Sequence, residues 1–269
     1  MLKALRKRYH SSHLKKSTVA IRKNPRLLLY IFLLDAAFFA VFYILNLLVN
    51  NFIPQDPSLM SRFQTDTLLV LGFLLLSVLY FVVILVVYSF FNLIILGNIR
   101  KFSSDYSHDF SMLKNMFALN LILFIMFFLI LVLFNVITAL LVNKSLWLAI
   151  LVFVVMFVMF VMAYAFYNFS HSAFILGHRL KSNLKRSLRN VFTKSYLGII
   201  IFSLVVLAIY VLVYLVLGYA LDDKILANYD TFINTSSIIT LVLIYVLFTF
   251  NRIYFFFVAE KKIGRVQSS

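Results

Sequence analysis

The chain is predicted to be an all-α polytopic membrane protein: six transmembrane helices in three tandem hairpins, with short interfacial helices on the cytoplasmic side. Three observations carry this reading. First, 64% of the 269 residues are hydrophobic and only 13% are charged, with a mean hydropathy of +1.01. Soluble domains hold about 45–50% apolar and about 25% charged residues, so water-soluble packing could not hide this much apolar surface. Second, six continuous apolar runs each reach the roughly 20 residues that a hydrocarbon core about 30 Å thick requires. Third, the basic residues crowd the ends of those runs on a single side. The runs are continuous rather than alternating, which excludes a β-barrel, and the absence of cysteine excludes a disulfide scaffold.

Residues 1–26 form a basic arm with nine Lys and Arg residues, and its segment 10–26 is expected to contain an interfacial helix carrying Leu14, Val19 and Ile21. The first span, 27–49, is too long for a signal-peptide core and lacks a small-x-small cleavage pattern, so it reads as an uncleaved anchor. The second span, 68–96, has 29 residues and must tilt or protrude. Its return segment, 103–113, offers Tyr106 and Phe110 just after Phe102 for a second interfacial helix. Spans three and four are 116–142 and 146–170, with Trp147 placed for interfacial anchoring, as are Tyr30 and Tyr196. The connection 177–195 places Leu180, Leu184, Leu188 and Val191 on one stripe of a basic helix, which suits a helix lying in the headgroup plane. Spans 196–221 and 236–259 and a tail, 260–269, complete the chain. The transmembrane domain is thus 27–259.

With this threading, 22 of the 25 Lys and Arg residues share one side, and only Arg62, Lys144 and Lys224 lie on the other. Such a bias sets orientation, so a multi-pass cell-membrane protein with both termini in the cytoplasm is expected. The formal net charge of +16 is then a one-sided field. Its simplest use is contact with anionic lipid headgroups through Arg179, Lys181, Lys185, Arg186 and Arg189, at about 1 kcal/mol per basic residue near the surface. Nucleic acid is disfavoured because no recognisable binding module accompanies the charge. A protein partner or a second copy of the chain is compatible with the same face.

The hairpins also resemble one another. Each odd span is approached by a basic residue and an asparagine: Lys23-Asn24, Lys114-Asn115 and Arg189-Asn190. Each even span leaves through a small residue: Gly97, Gly177 and Ala259. The separations are 73, 62 and 69 residues, which suggests three parallel copies of a two-helix unit. Asn suits a helix start, Pro25 suits a first helical position, and Gly suits a helix end or a close contact.

The Lys23-Asn24-Pro25 approach to an apolar span, the basic amphipathic connection 177–194 and the six spans together resemble a group of prokaryotic membrane proteins. These are the YciC-like proteins and the relatives of the glycerophosphodiester phosphodiesterase membrane domain. The resemblance implies a helical membrane module of unknown biochemical activity and supplies no catalytic residues. The soluble phosphodiesterase domain of some relatives has no counterpart in this sequence, so hydrolysis is not implied.

Ionisable groups within spans are costly and invite functional readings. Asp35 lies about 12 Å along the first helix and Arg252 about 10 Å from the same end of the last, so the two are expected to pair. Asn92, Asn120, Asn168, His171 and Asn251 occupy the same inner half and could form a polar binding cluster with them. Interhelical hydrogen bonding is the simpler role for the asparagines. The five His residues make no metal cluster, no nucleotide-binding glycine loop or nucleophile motif occurs, and no cofactor is implied. An enzyme is therefore not expected. The leading expectation is a transporter or transport-accessory protein for an anionic or amphipathic small molecule. The alternative is a structural or assembly protein that binds anionic lipid or a partner through its basic face.

Overall fold

The computed structural model describes residues 13–50, 67–141, 145–193, 196–220 and 229–264. Among these residues there is no strand, and six helices are long and apolar enough to cross a membrane. The helices are α1 (His13–Lys23), α2 (Pro25–Asn50), α3 (Thr67–Lys101), α4 (Leu113–Leu141), α5 (Leu146–Ile175), α6 (Leu180–Val191), α7 (Leu197–Ala220) and α8 (Tyr229–Ile263). The six spanning helices are α2 to α5, α7 and α8. Arg62, Lys144 and Lys224, the three cations that the sequence assigns to the opposite side, lie outside the described residues, as do the first twelve residues, Lys194 and the tail beyond Gly264.

Packing divides the chain into two compact units, Asn24–Ala163 and Met1–Lys23 with Tyr164–Ser269. The boundary between the two units falls within α5.

In the Asn24–Ala163 unit, α2 packs on α3 and α3 on α4. Phe134 of α4 meets Phe153 and Phe160 of α5 edge-on. The largest fully buried side chains of this unit are Ile31, Leu93, Ile99, Met116, Leu119 and Leu123, all toward its basic end. The opposite end of α3 is bare, with Leu68 80% exposed. Such apolar exposure suits hydrocarbon and would be intolerable in water. Trp147 at the start of α5 is 81% exposed.

The long α3 runs for 35 residues and continues through Gly97 to Lys101. Gly97 is therefore a point of close approach rather than a helix end. A Cβ there would overlap the imidazole of His108 and come within 2.9 Å of Cε1 of Tyr106. The interfacial helix expected over 103–113 does not form; only a 3-10 turn, Phe110–Met112, is present. Two local interactions explain the loop. The Ser103 hydroxyl donates to the Arg100 carbonyl, competing with helical bonding. The Arg100 guanidinium lies 4.6 Å from the centre of the Tyr106 ring and holds the segment back against α3. Asp109 then accepts from the Ser111 amide at the start of the turn. Those bonds to Ser111 hold its carboxyl below the usual carboxylate range. Burial, followed by Lys101, pushes His108 down.

In the other unit α1 packs on α8, and α7 on α8. Tyr210 of α7 shares a hydrogen bond with Thr240 of α8 and donates to the Ser236 carbonyl. Phe169, Tyr196 and Phe255 form an aromatic cluster, with Phe169 set edge-on to Phe255 at 5.1 Å. The expected arm helix is present as α1, and Asn24 is the non-helical residue before Pro25 begins α2. Asn115 instead lies inside the first turn of α4, and Asn190 inside the last turn of α6. The three asparagines therefore occupy three different local settings. Ala259 is likewise interior, because α8 continues to Ile263 and stops at Gly264, where φ is +78°.

Gly177 does end a helix. Its φ is +93°, its amide donates to the Phe174 carbonyl at 3.0 Å, and the His178 amide donates to Ala173 at 3.2 Å. This pair of bonds is the Schellman termination, which needs a left-handed residue. Gly177→Val puts a β-branched side chain into that conformation and should cost about 1–3 kcal/mol. Thermal unfolding in detergent micelles is expected to show the loss, with Gly177→Asn intermediate.

Candidate functional site

Each of the seven sequence-derived polar positions in the spans is assigned to one of the two units. Asp35, Asn92 and Asn120 belong to the unit Asn24–Ala163; Asn168, His171, Asn251 and Arg252 belong to the other. The expected Asp35–Arg252 pairing therefore joins residues of different units and rests on sequence depth alone.

In the first of these units Asp35, Asn92 and Asn120 are all buried. Asn120 of α4 donates to the hydroxyl of Ser89 on α3 at 2.9 Å, and Ser89 in turn donates to the Leu85 carbonyl of its own helix. Asn92 reaches the Tyr88 hydroxyl at 3.5 Å. Ser89 was not singled out in the sequence, since a serine that bonds its own helix leaves no pattern.

In the second unit, Asn168 donates to the Tyr164 carbonyl and His171 to the Tyr167 carbonyl, each at 2.9 Å and each one turn back on α5. These two side chains therefore satisfy backbone groups of their own helix. Asn251 behaves differently. Its amide donates to the Tyr164 hydroxyl of α5 at 3.1 Å, and its oxygen accepts from Ser203 of α7 at 3.1 Å. One buried side chain thus ties three spans together. The Arg252 guanidinium lies 4.3 Å from the centre of the Phe248 ring. Asn251→Leu keeps the volume and removes both interhelical bonds, leaving the Tyr164 hydroxyl without this donor and the Ser203 hydroxyl without this acceptor. A loss of about 1–2 kcal/mol is expected, measurable as a lower denaturant midpoint for the folded protein.

The sequence placed the leucine stripe of α6 in the headgroup plane, and the structure adds a polar face that holds the helix to the protein. The face buried against the protein is Asn183, Ser187 and Val191, while Leu180 and Leu184 are half-buried and Leu188 is 54% exposed. Hydrogen bonding causes this orientation. Asn183 donates to the Ser170 carbonyl of α5 at 2.9 Å and accepts from the Ser187 hydroxyl at 3.0 Å. Buried amides must find partners, and residues four apart share a helix face. The Asn183/Ser187 spacing was the available signal.

The turn before α6 and α6 itself also hold the end of α8. His178, buried, donates from Nε2 to the Gly264 carbonyl at 2.9 Å, and Arg186 donates to the Ile263 carbonyl at 3.2 Å. The last carbonyls of a helix lack intrahelical partners and carry partial negative charge, so cationic and N–H donors are favourable there. Arg186, itself exposed, thus gives one donor to this end. Arg179, Lys181, Lys185 and Arg189 are exposed. Around the α6 axis the residues sort into three strips. Asn183 and Ser187 face the protein, Leu188 and the following Phe192 present exposed apolar surface, and the remaining cations are on the outer side.

α1 adds Lys16, Arg22 and Lys23, all exposed, to this end of the same unit. Its Ser17 is fully buried, and His13 meets Tyr254 of α8 edge-on with ring centres 6.2 Å apart. No family model, curated protein or solved structure matches the chain.

Proposed function

We propose that this integral membrane protein works as a non-catalytic membrane-assembly element that gathers anionic lipid headgroups at its basic face through α6. The observation that carries the reading is the three-way partition of α6. A helix fixed to the protein by Asn183 and Ser187, with Leu188 and Phe192 exposed beside Lys181, Lys185 and Arg189, has the composition of a helix lying at the headgroup boundary. Apolar residues enter the acyl boundary, and the long basic side chains extend to phosphate oxygens. On this reading the basic face is cytoplasmic.

The test uses the full chain in nanodiscs of mixed lipid. Spin-labelled anionic and zwitterionic lipids compete for the protein boundary, and an anionic preference that falls with salt is expected. Equal association of the two lipids would remove the proposal.

A second reading, transport of an anionic or amphipathic small molecule, is favoured by one observation. The hydroxyls of Ser170 and Thr249 are fully buried in this unit without a hydrogen-bond partner among the described residues. Buried hydroxyls without partners can mark a ligand path. Three neighbouring buried polar side chains, Asn168, His171 and Asn251, bond internally, which supports the lipid reading over this one.

A further inference from the structure

We infer that α1 is an acid-releasable strap, docked on the basic end of α8 while His13 is neutral and freed when His13 takes up a proton. The inference is independent of the lipid reading above. α1 is short, 11 residues, and too short to hold itself helical in water, so its order depends on its dock. The contact is made on one face by Ser17, fully buried, and His13, set edge-on to Tyr254. The Ser17 hydroxyl donates back to the His13 carbonyl at 2.9 Å, so the face adds no charged hydrogen bond to α8 from this residue.

The charges that act on the His13 ring are basic. Lys16 acts on it from α1, and Lys261 and Lys262 from α8. Tyr254 and Glu260 are the other titratable groups on that stretch of α8. The Nδ1 of His13 is buried without a hydrogen-bond partner among the described residues, so a proton there gains no acceptor. Burial, then the charges of Lys261, Lys16 and Lys262, hold the imidazole below its ordinary value of 6.5.

The sign follows by linkage. A cationic group whose docked pKa lies below its free value binds the proton better when undocked. Docking is therefore at full strength above about pH 6.5 and weakens as the pH falls from there toward the docked value. Within that window the docking equilibrium drops by up to about tenfold per pH unit. The freed helix would carry Lys15, Lys16, Arg22 and Lys23 away from Lys261 and Lys262.

The chain has no cysteine, so labels can be placed without background. Cysteines at Val19 and Lys185, both exposed, carry spin labels in the full-length protein in zwitterionic nanodiscs. Pulsed dipolar spectroscopy should give one narrow distance at about pH 7.5 and a longer, broader component that grows as the pH falls below about 6.5. His13→Phe should stay narrow throughout, and His13→Lys should be broad already at about pH 7.5. Glu260→Gln should leave the release in place. The proposal is overturned if the distance is unchanged down to about pH 4.5, if His13→Phe releases at the same pH, or if Glu260→Gln abolishes release.

Discussion

Replacing Lys181, Lys185 and Arg189 together with glutamine should reduce the anionic preference of the protein boundary by up to roughly a hundredfold, taking about 1 kcal/mol for each cation near the surface. All three side chains are exposed on the outward strip of α6. Arg186 is kept because its guanidinium holds the Ile263 carbonyl, so changing it would disturb the end of α8 as well as the charge. Glutamine retains helix propensity and most of the side-chain length, so α6 should stay folded. Stability in micelles should change by less than about 0.5 kcal/mol. The same preference in the unsubstituted protein should shrink as added salt shortens the screening length from about 10 Å at 0.1 M to about 3 Å at 1 M. The readout is the relative association of spin-labelled anionic and zwitterionic lipids. An unchanged ratio in the glutamine variant would show that the charge of α6 does not select lipid.

The spans were legible in the sequence because a bilayer demands long apolar runs, and such runs cannot be disguised. Positions such as Leu68 needed no tertiary information to be assigned to an exposed apolar surface. The arm helix and α6 were legible for a similar reason, their basic and apolar residues alternating at helical spacing. Finer features were not. Nothing local distinguishes Gly97, where a loop folds back, from Gly177, where a helix ends; only the Schellman bonds of Phe174 and Ala173 separate the two. The loop after α3 was read as a helix because Phe102, Tyr106 and Phe110 fit helical spacing. The ring of Tyr106 instead serves as the surface for Arg100. Among the polar residues the sequence could see which were buried but not what they bonded. Asn168 and Asn251 look alike as letters, yet one bonds its own helix and the other bridges three.

The strongest structural consequence concerns the side chain that orients α6. Asn183→Leu is expected to lower stability by about 2–3 kcal/mol, because two hydrogen bonds disappear at a buried position and the Ser170 carbonyl and Ser187 hydroxyl both lose a partner. Ser187→Ala removes only the second bond and should cost about 1 kcal/mol. Leu188→Ala, on the exposed strip, should cost under about 0.5 kcal/mol, since little of that side chain is buried against protein. Limited trypsin digestion of the full chain reads the same difference locally. With Asn183 replaced, cleavage at Lys185 and Arg189 should accelerate while the spanning helices remain intact, because the contacts that hold α6 to α5 are gone. The loosened helix would also withdraw Arg186 from the Ile263 carbonyl, so fraying at the end of α8, followed by hydrogen exchange of its last turn, should appear in the Asn183 variant and not in the Leu188 one.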